Sequence, residues 1–263
     1  MQIKFSKYHG AGNDFVVLDN RDNKYKKLTA SQIELLCHRH YGVGADGLIK
    51  INRIKNADFE MEYFNADGKI GSMCGNGARC AVLFYYLHGA KNKNVIFNAF
   101  DGIHEATVHT VKNETAVISV SMTEVDKLLY LKEAVVLNTG SPHYVSFVKN
   151  VTEMDVVAQG RAIRNSKSFK REGINVNFVE IKKDTLHIRT YERGVEDETL
   201  ACGTGITAAA IAAFHSGLIN KTPVKVTAQG GHLTVNFTAG NNQFTDVVLQ
   251  GPAVKVYSGE FKM

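Results

Sequence analysis

Two stretches decide the fold: Cys74-Gly75-Asn76-Gly77-Ala78-Arg79-Cys80-Ala81-Val82-Leu83-Phe84 and Cys202-Gly203-Thr204-Gly205-Ile206-Thr207-Ala208-Ala209-Ala210-Ile211-Ala212-Ala213-Phe214. Each opens on Cys-Gly-x-Gly and enters a nearly unbroken apolar run, 81–87 in the first and 208–214 in the second. Each run stops at a glycine, Gly89 or Gly217, 15 residues after its cysteine. A helix that is apolar nearly all round has to be buried on most sides. Upstream, Gly12-Asn13-Asp14-Phe15-Val16 resembles Gly140-Ser141-Pro142-His143-Tyr144-Val145, and 62 residues separate each leading glycine from its cysteine. Matched residue types at matched spacings indicate a duplication, with repeats of roughly 1–121 and 135–255 and a short connector.

Around these helices the chain is strand-rich. Short β-branched or aromatic stretches at 15–18, 60–64, 116–120, 135–137, 144–148, 177–181, 185–191, 224–227 and 233–237 read as strands. Asp101-Gly102, Gly230-Gly231 and Gly240-Asn241 read as turns. Residues 30–39 and 153–163 look like amphipathic helices, the second with Thr152 as its N-cap, and Gly89 and Gly217 fit helix C-caps. The expected architecture is α+β, two pseudo-symmetric halves, each a curled, barrel-like mixed β-sheet around a central helix. The first half, 1–121, carries Cys74. The second, 122–263, carries Cys202, with the last strand (about 255–263) returning to the first half.

The bulk properties exclude several classes. With 44% hydrophobic and 22% charged residues over 263 positions, the chain is an ordinary globular protein of one large or two medium domains. The N-terminus lacks the apolar stretch of a signal peptide, and no apolar run is long enough for a membrane span, so a cytoplasmic protein without membrane association is expected. The net charge of +5 comes from scattered lysines (Lys24, Lys26, Lys27, Lys91, Lys93) rather than a basic stripe with interleaved aromatics, which argues against nucleic acid and leaves room for a small acidic substrate. Four cysteines in a reducing compartment, none in a Cys-x-x-Cys pair, argue against a disulfide framework, a zinc site and a thioredoxin-type motif. Cys37 and Cys80 lie inside helical patterns, where cysteine fills space.

Cys74 and Cys202 are different, because each immediately precedes a central helix. Unpaired N–H groups and the positive end of the helix dipole favour a thiolate there, and glycines let the same N–H groups approach a carboxylate. Two thiols on opposite sides of one carbon suit a reaction in which one removes a proton and the other returns one to the opposite face. The carbanion is an amino acid's α-carbon, its charge spread into a carboxylate held by N–H donors. No pyridoxal or metal motif is evident, so no cofactor is expected. Asn13, Asn65 and Asn175 offer donors and acceptors to a zwitterion, Arg193 a fork for a carboxylate, and Glu192 an acceptor for an ammonium. His143 is open to three readings: a general base, a residue that orients a neighbour, or an exposed side chain.

At His9-Gly10-Ala11-Gly12-Asn13-Asp14-Phe15, Gly42-Val43-Gly44-Ala45-Asp46-Gly47, Phe64-Asn65-Ala66-Asp67-Gly68, Cys74-Gly75-Asn76-Gly77-Ala78-Arg79-Cys80, Tyr191-Glu192-Arg193-Gly194 and Ala201-Cys202-Gly203-Thr204-Gly205 the sequence resembles the diaminopimelate epimerases, in family order across nearly the whole chain. The resemblance implies a pyridoxal-independent interconversion of LL- and meso-diaminopimelate, in lysine biosynthesis and cell-wall precursor supply, with Cys74 and Cys202 as acid and base. It also implies that Asn13, Asn65, Asn175 and Arg193 recognise the distal end of the substrate and that Glu192 contacts the reacting amino group. Gly75, Asn76, Gly203 and Thr204 then cradle its carboxylate, His143 gives support, and the protein is a homodimer. Three departures stand out. Ser141 replaces a common asparagine, Gly47 replaces a glutamine of some members, and Val195-Glu196-Asp197-Glu198 is about one residue longer, an addition expected to bulge in a loop. The alternatives are a proline or hydroxyproline racemase, which lacks the Glu-Arg and triple-asparagine set, a phenazine-type isomerase, which lacks the cysteine pair, and a thiol redox protein in which Cys74 and Cys202 form a functional disulfide. Oxidation that joined the two thiols would silence an epimerase.

Overall fold

The computed structural model describes residues 1–90, 92–240 and 243–263, so Lys91 and the Asn241 of the Gly240-Asn241 turn lie outside it. It divides into two units, Met1–Val120 with Gly251–Met263, and Ser121–Gln250. In unit 1 the strands are β1 (Gln2–Gly10), β2 (Asn13–Asp19), β3 (Gly47–Asn52), β4 (Phe59–Asn65), β5 (Asn94–Ala99), β6 (Gly102–Lys112) and β7 (Thr115–Ser121), completed by the end of β16 (Gln243–Lys262). They follow one another in that order and β16 pairs back onto β1, which closes an eight-stranded barrel. The parallel pairs β2–β3 and β4–β5 need crossovers, supplied by α1 (Ala30–Cys37) and α2 (Gly75–Tyr85).

Unit 2 repeats this plan. Its strands are β8 (Leu128–Tyr130), β9 (Val135–Asn138), β10 (Pro142–Phe147), β11 (Asn175–Lys182), β12 (Thr185–Glu192), β14 (Val224–Ala228), β15 (Gly231–Gly240) and the start of β16, with β13 (Asp197–Thr199) paired on β12. The parallel pairs β10–β11 and β12–β14 are again bridged by helices, α3 (Val156–Arg164) and α4 (Gly203–His215). A lone bridge between Val125 and Phe244 draws the two ends of the sheet together.

The central helices obey the apolar pattern that announced them. Gly75 to Phe84 of α2 are all buried, and the helix touches β1, β2, β3, β4 and β6. Helix α4 touches β9, β10, β11, β12, β14 and β15, with Ile206 and Ile211 at 0% exposure. Each such side chain withdrawn from water contributes about 1.5–3 kcal/mol. Each half is thus a mixed sheet curled around one buried helix.

Three local expectations are corrected. Asp155, not Thr152, caps α3, its carboxylate accepting from Ala158 N at 2.9 Å, while Thr152 sits in a 3-10 turn, Val151–Glu153. The carboxylate directly before Val156 meets the helix dipole with a full charge. Helix α2 ends at Tyr85 and passes through a π-helical turn, Tyr86–Ala90, so Gly89 (φ +117) stops that turn rather than α2 itself. Gly217 (φ +69) does follow directly on the C-cap of α4, Ser216. Third, β10 ends at Phe147, one residue short of the expected 148. Residues 193–196 form the turn between β12 and β13, where Gly194 and Glu196 take positive φ and Glu196 N donates to Glu192 O.

Candidate active site

In unit 1, Cys74 is the N-cap of α2, in extended conformation (φ −118, ψ 114), and its sulfur accepts from Gly77 N at 3.4 Å. Asn13 Oδ1 lies 3.7 Å from Cys74 Sγ and accepts from Asn76 Nδ2 at 3.4 Å. The Asn13 amide is oriented from behind by its Nδ2, which donates to Asp46 Oδ2 at 2.8 Å. Asp46 belongs to an ionic cluster in which Arg39 binds both Asp46 (2.6 Å) and Asp14 (2.9 Å) and Lys7 binds Asp14 (2.6 Å). The structure therefore brings Asn13, Cys74, Gly75 and Asn76 together. Asn65 stands opposite Gly47 in the β3–β4 register.

Beneath this turn lies Arg79, 0% exposed. Its guanidinium donates to Gly75 O (3.0 Å), Asn76 Oδ1 (2.6 Å) and Pro252 O (3.2 Å). Burial lowers its pKa to about 10, which still leaves it a cation, and its charge attracts that of a Cys74 thiolate. A Cβ at Gly10 would meet Asn76 O at 2.9 Å, so the backbone of β1 packs directly on this turn.

In unit 2, Cys202 is the N-cap of α4 (φ −106, ψ 110), and its sulfur lies 3.4 Å from Thr204 Oγ1. Thr139 Oγ1 donates to Thr204 O at 2.9 Å, tying the chain before Gly140 to the helix start. A second group joins Ser141, Asn175 and Arg193. Asn175 Nδ2 donates to Ser141 Oγ (2.9 Å), Arg193 N donates to Asn175 Oδ1 (2.8 Å), and Arg193 Nη2 donates to Ser141 Oγ (3.3 Å). Ser141 is thus the hydroxyl on which the other two meet. The Arg193 stem lies against Gly173 (φ +74), where a Cβ would come within 2.7 Å of Arg193 Cδ. Glu192 accepts from Thr199 Oγ1 at 2.9 Å.

His143 is wholly buried, which removes the exposed reading. Burial first, and then the positive charge of Arg193, lower its pKa to about 3, so the ring is neutral. Cys37 and Cys80 are buried as well. Burial pushes the Cys37 thiol up to about 12 and Cys80 higher still, so neither is a candidate thiolate.

These groups give the fold an acid limb. Burial alone would raise Asp14, yet its bonds to Arg39 and Lys7 overcome this and hold its pKa at about 2. The stability it adds is present at neutral pH and is lost as pH falls from about 4 towards 2, a loss of about 1–2 kcal/mol after solvent screening. His143, with an unfolded-state pKa near 6.5, takes up its proton more readily in the unfolded chain, so its contribution fades below about pH 6.5 at up to about 1.4 kcal/mol per pH unit. Urea midpoints measured at pH 7 and pH 5 are expected to fall more for the wild type than for His143→Gln. An equal fall would show that His143 does not titrate on unfolding.

Sequence reasoning missed two residues. Arg79 is the single charge inside an otherwise apolar helix, and that anomaly was a usable signal. Asn177 follows Asn175 by two positions on β11 and so shares its face; it is buried between His143, Tyr144 and Thr190.

The same fold occurs in solved structures. A Bacillus anthracis phenazine biosynthesis protein of the PhzF family superposes with a TM-score of 0.77 at 15% identity, covering 100% of both chains. A probable proline racemase from Agrobacterium radiobacter K84 superposes at 0.72 and 14%, covering 99% of this chain and 93% of that one. At these identities the likeness defines the fold class, the two-repeat α+β fold. The sequence narrows it: the diaminopimelate epimerase family model matches residues 5–128 and 135–256. Diaminopimelate epimerases of Flavobacterium psychrophilum and Aquifex aeolicus are 46% and 42% identical, over 97% and 98% of this chain and 98% and 97% of their own lengths. The chain belongs to the diaminopimelate epimerase family and is an isomerase of the epimerase type.

Proposed function

We propose that the chain interconverts LL- and meso-2,6-diaminopimelate without pyridoxal phosphate or metal, with Cys74 and Cys202 as its two bases. One thiolate takes the α-proton, leaving a carbanion whose charge spreads into the α-carboxylate. The opposite thiol delivers its own proton to the other face and becomes the thiolate. Protons and charge balance, and the enzyme is left ready for the reverse direction. The observation that carries this reading is the pair of duplicated helix N-termini, each presenting a cysteine whose neighbours suit both protonation states. Asn13 Oδ1 can accept from a Cys74 thiol and Gly77 N can donate to its thiolate, while the Thr204 hydroxyl can do either for Cys202. The first-turn N–H groups of Gly75, Asn76, Gly203 and Thr204 are the donors for the reacting carboxylate. Arg193, held by Ser141 and Asn175, binds the distal carboxylate together with Asn13 and Asn65, and Glu192 accepts from the reacting ammonium. Family membership supports a place in lysine biosynthesis and peptidoglycan precursor supply, a homodimer and a cytoplasmic site of action.

The test uses purified protein stripped of pyridoxal phosphate and treated with chelator. It is expected to convert LL- to meso-diaminopimelate and to leave proline and hydroxyproline unchanged. No turnover of diaminopimelate, or turnover only after pyridoxal phosphate is added, would overturn the proposal.

A further inference from the structure

The two units differ most directly beneath their first helical turns. In unit 1 a Cβ at Gly77 would meet Ile49 Cδ1 at 3.2 Å, Cys74 Cβ at 3.6 Å and Phe15 Cε1 at 3.6 Å, so the floor is apolar. The positions 128 residues on are Asn177, Cys202 and His143, and a Cβ at Gly205 would meet Asn177 Oδ1 at 2.4 Å and Cys202 Cβ at 3.4 Å. Duplication has kept the glycine and exchanged a phenylalanine and an isoleucine for a histidine and an asparagine.

The orientation of the Asn177 amide is fixed by its partners. Its Nδ2 lies 3.1 Å from Tyr144 O, a carbonyl that can only accept, so this atom is the nitrogen. The same nitrogen lies 3.1 Å from His143 Nδ1. One of its hydrogens serves Tyr144 O and the other points at the ring, so Nδ1 must present a lone pair. Thr190 Oγ1 donates to Asn177 Oδ1 at 3.0 Å and closes the network. With Nδ1 unprotonated, the proton of a neutral ring sits on Nε2. That atom is buried and has no hydrogen-bond partner among the described residues. A buried donor needs an acceptor, here a bound molecule or an internal water.

We infer that Asn177 is a positioning residue that fixes His143 as the Nε2–H tautomer, a hydrogen-bond donor that cannot serve as the proton-accepting base. This argues against the general-base reading of His143 and departs from the orienting reading as well, since the ring is itself oriented by Asn177. The lowered pKa of the buried ring agrees with it: burial first, and then the positive charge of Arg193, disfavours a second proton. Only the consequence for turnover rests on the epimerase reading. The tautomer itself does not.

The experiment is 15N NMR of protein labelled in histidine, at pH 7, with the His143 ring assigned by its loss in His143→Gln. Wild type is expected to show a neutral ring protonated at Nε2. In Asn177→Asp the carboxylate accepts instead of donating, and the ring is expected to switch to Nδ1–H or to become doubly protonated. That variant is expected to lose roughly 10- to 100-fold in kcat with little change in KM, the range for groups that orient a working side chain. A wild-type ring protonated at Nδ1, or one unchanged in a folded Asn177→Asp, overturns the inference. The wild-type tautomer is read without turnover, so its result stands apart from that of the proposed reaction.

Discussion

Replacement of Cys74 or of Cys202 by alanine is expected to lower kcat/KM for diaminopimelate epimerisation by roughly 10²- to 10⁴-fold, while the protein keeps its circular dichroism spectrum and cooperative melting. A positioned acid or base contributes on the order of 10²–10⁴-fold, and each cysteine acts as one in either direction of the reaction. Both sulfurs sit at helix N-caps, Cys202 buried but without a side-chain capping bond and Cys74 with one bond from Gly77 N at 3.4 Å, so the stability cost should be modest. Cys37→Ala is the control. That buried thiol, pushed up to about 12, is expected to be dispensable for turnover. If either cap variant retained wild-type turnover, the two-base assignment would fail.

The second large effect is expected at Arg79. Arg79→Met leaves Gly75 O, Asn76 Oδ1 and Pro252 O without the donor that now serves all three. Hydrogen bonds from a charged group contribute about 1.5–3 kcal/mol each, offset in part by relief from burying the cation. The net expectation is a loss of about 2–4 kcal/mol, or roughly 5–15 °C in Tm for a chain of this size. The variant also removes the charge that attracts a Cys74 thiolate, so alkylation of Cys74 by iodoacetamide at fixed pH should slow roughly threefold or more. An unchanged Tm would mean that the buried arginine is no more favourable than a well-packed apolar side chain. An unchanged alkylation rate would mean that its charge does not reach the sulfur.

Much of this was legible in the chain. A nearly all-apolar helix can only be a central one, and its repetition at fixed spacing gave two like halves and both cysteines. The strand signals that failed did so for identifiable reasons. Strand β16 runs from Gln243 to Lys262, yet contains Asp246 at φ +50 and the pair Gly251-Pro252, which read locally as turns. The chain tolerates Asp246 at an irregularity in the pairing with β15, between Thr245 and Val248, and Gly251-Pro252 where β16 changes partner, from β15 through Gln250 to β7 from Gly251. Strand β1 escaped notice because Lys7 falls where the alternation of Ile3 and Phe5 calls for an apolar residue. Lys7 is nonetheless 7% exposed, its charge met by Asp14 and Gly44 O, a compensation visible only in three dimensions.

The candidate site divides the same way. Cys74 and Cys202 could be found because helix termini have chemistry of their own. The pairing of Asn175 with Ser141 and Arg193 depends on β11 lying beside β10 and β12, which no local pattern encodes. Asn177 was invisible for a related reason. Its significance lies in touching His143, 34 residues away, and in the missing side chain of Gly205.

The central claim is that each face of the α-carbon is served by its own thiol, and isotope transfer tests it most directly. LL-diaminopimelate incubated in deuterium oxide and sampled in the first few per cent of conversion should give meso product with one deuterium at the inverted carbon, while the remaining LL substrate stays protiated. Deuterium appearing as fast in the recovered substrate as in the product, or product that retains the original hydrogen, would mean a single base working on both faces and would contradict the account.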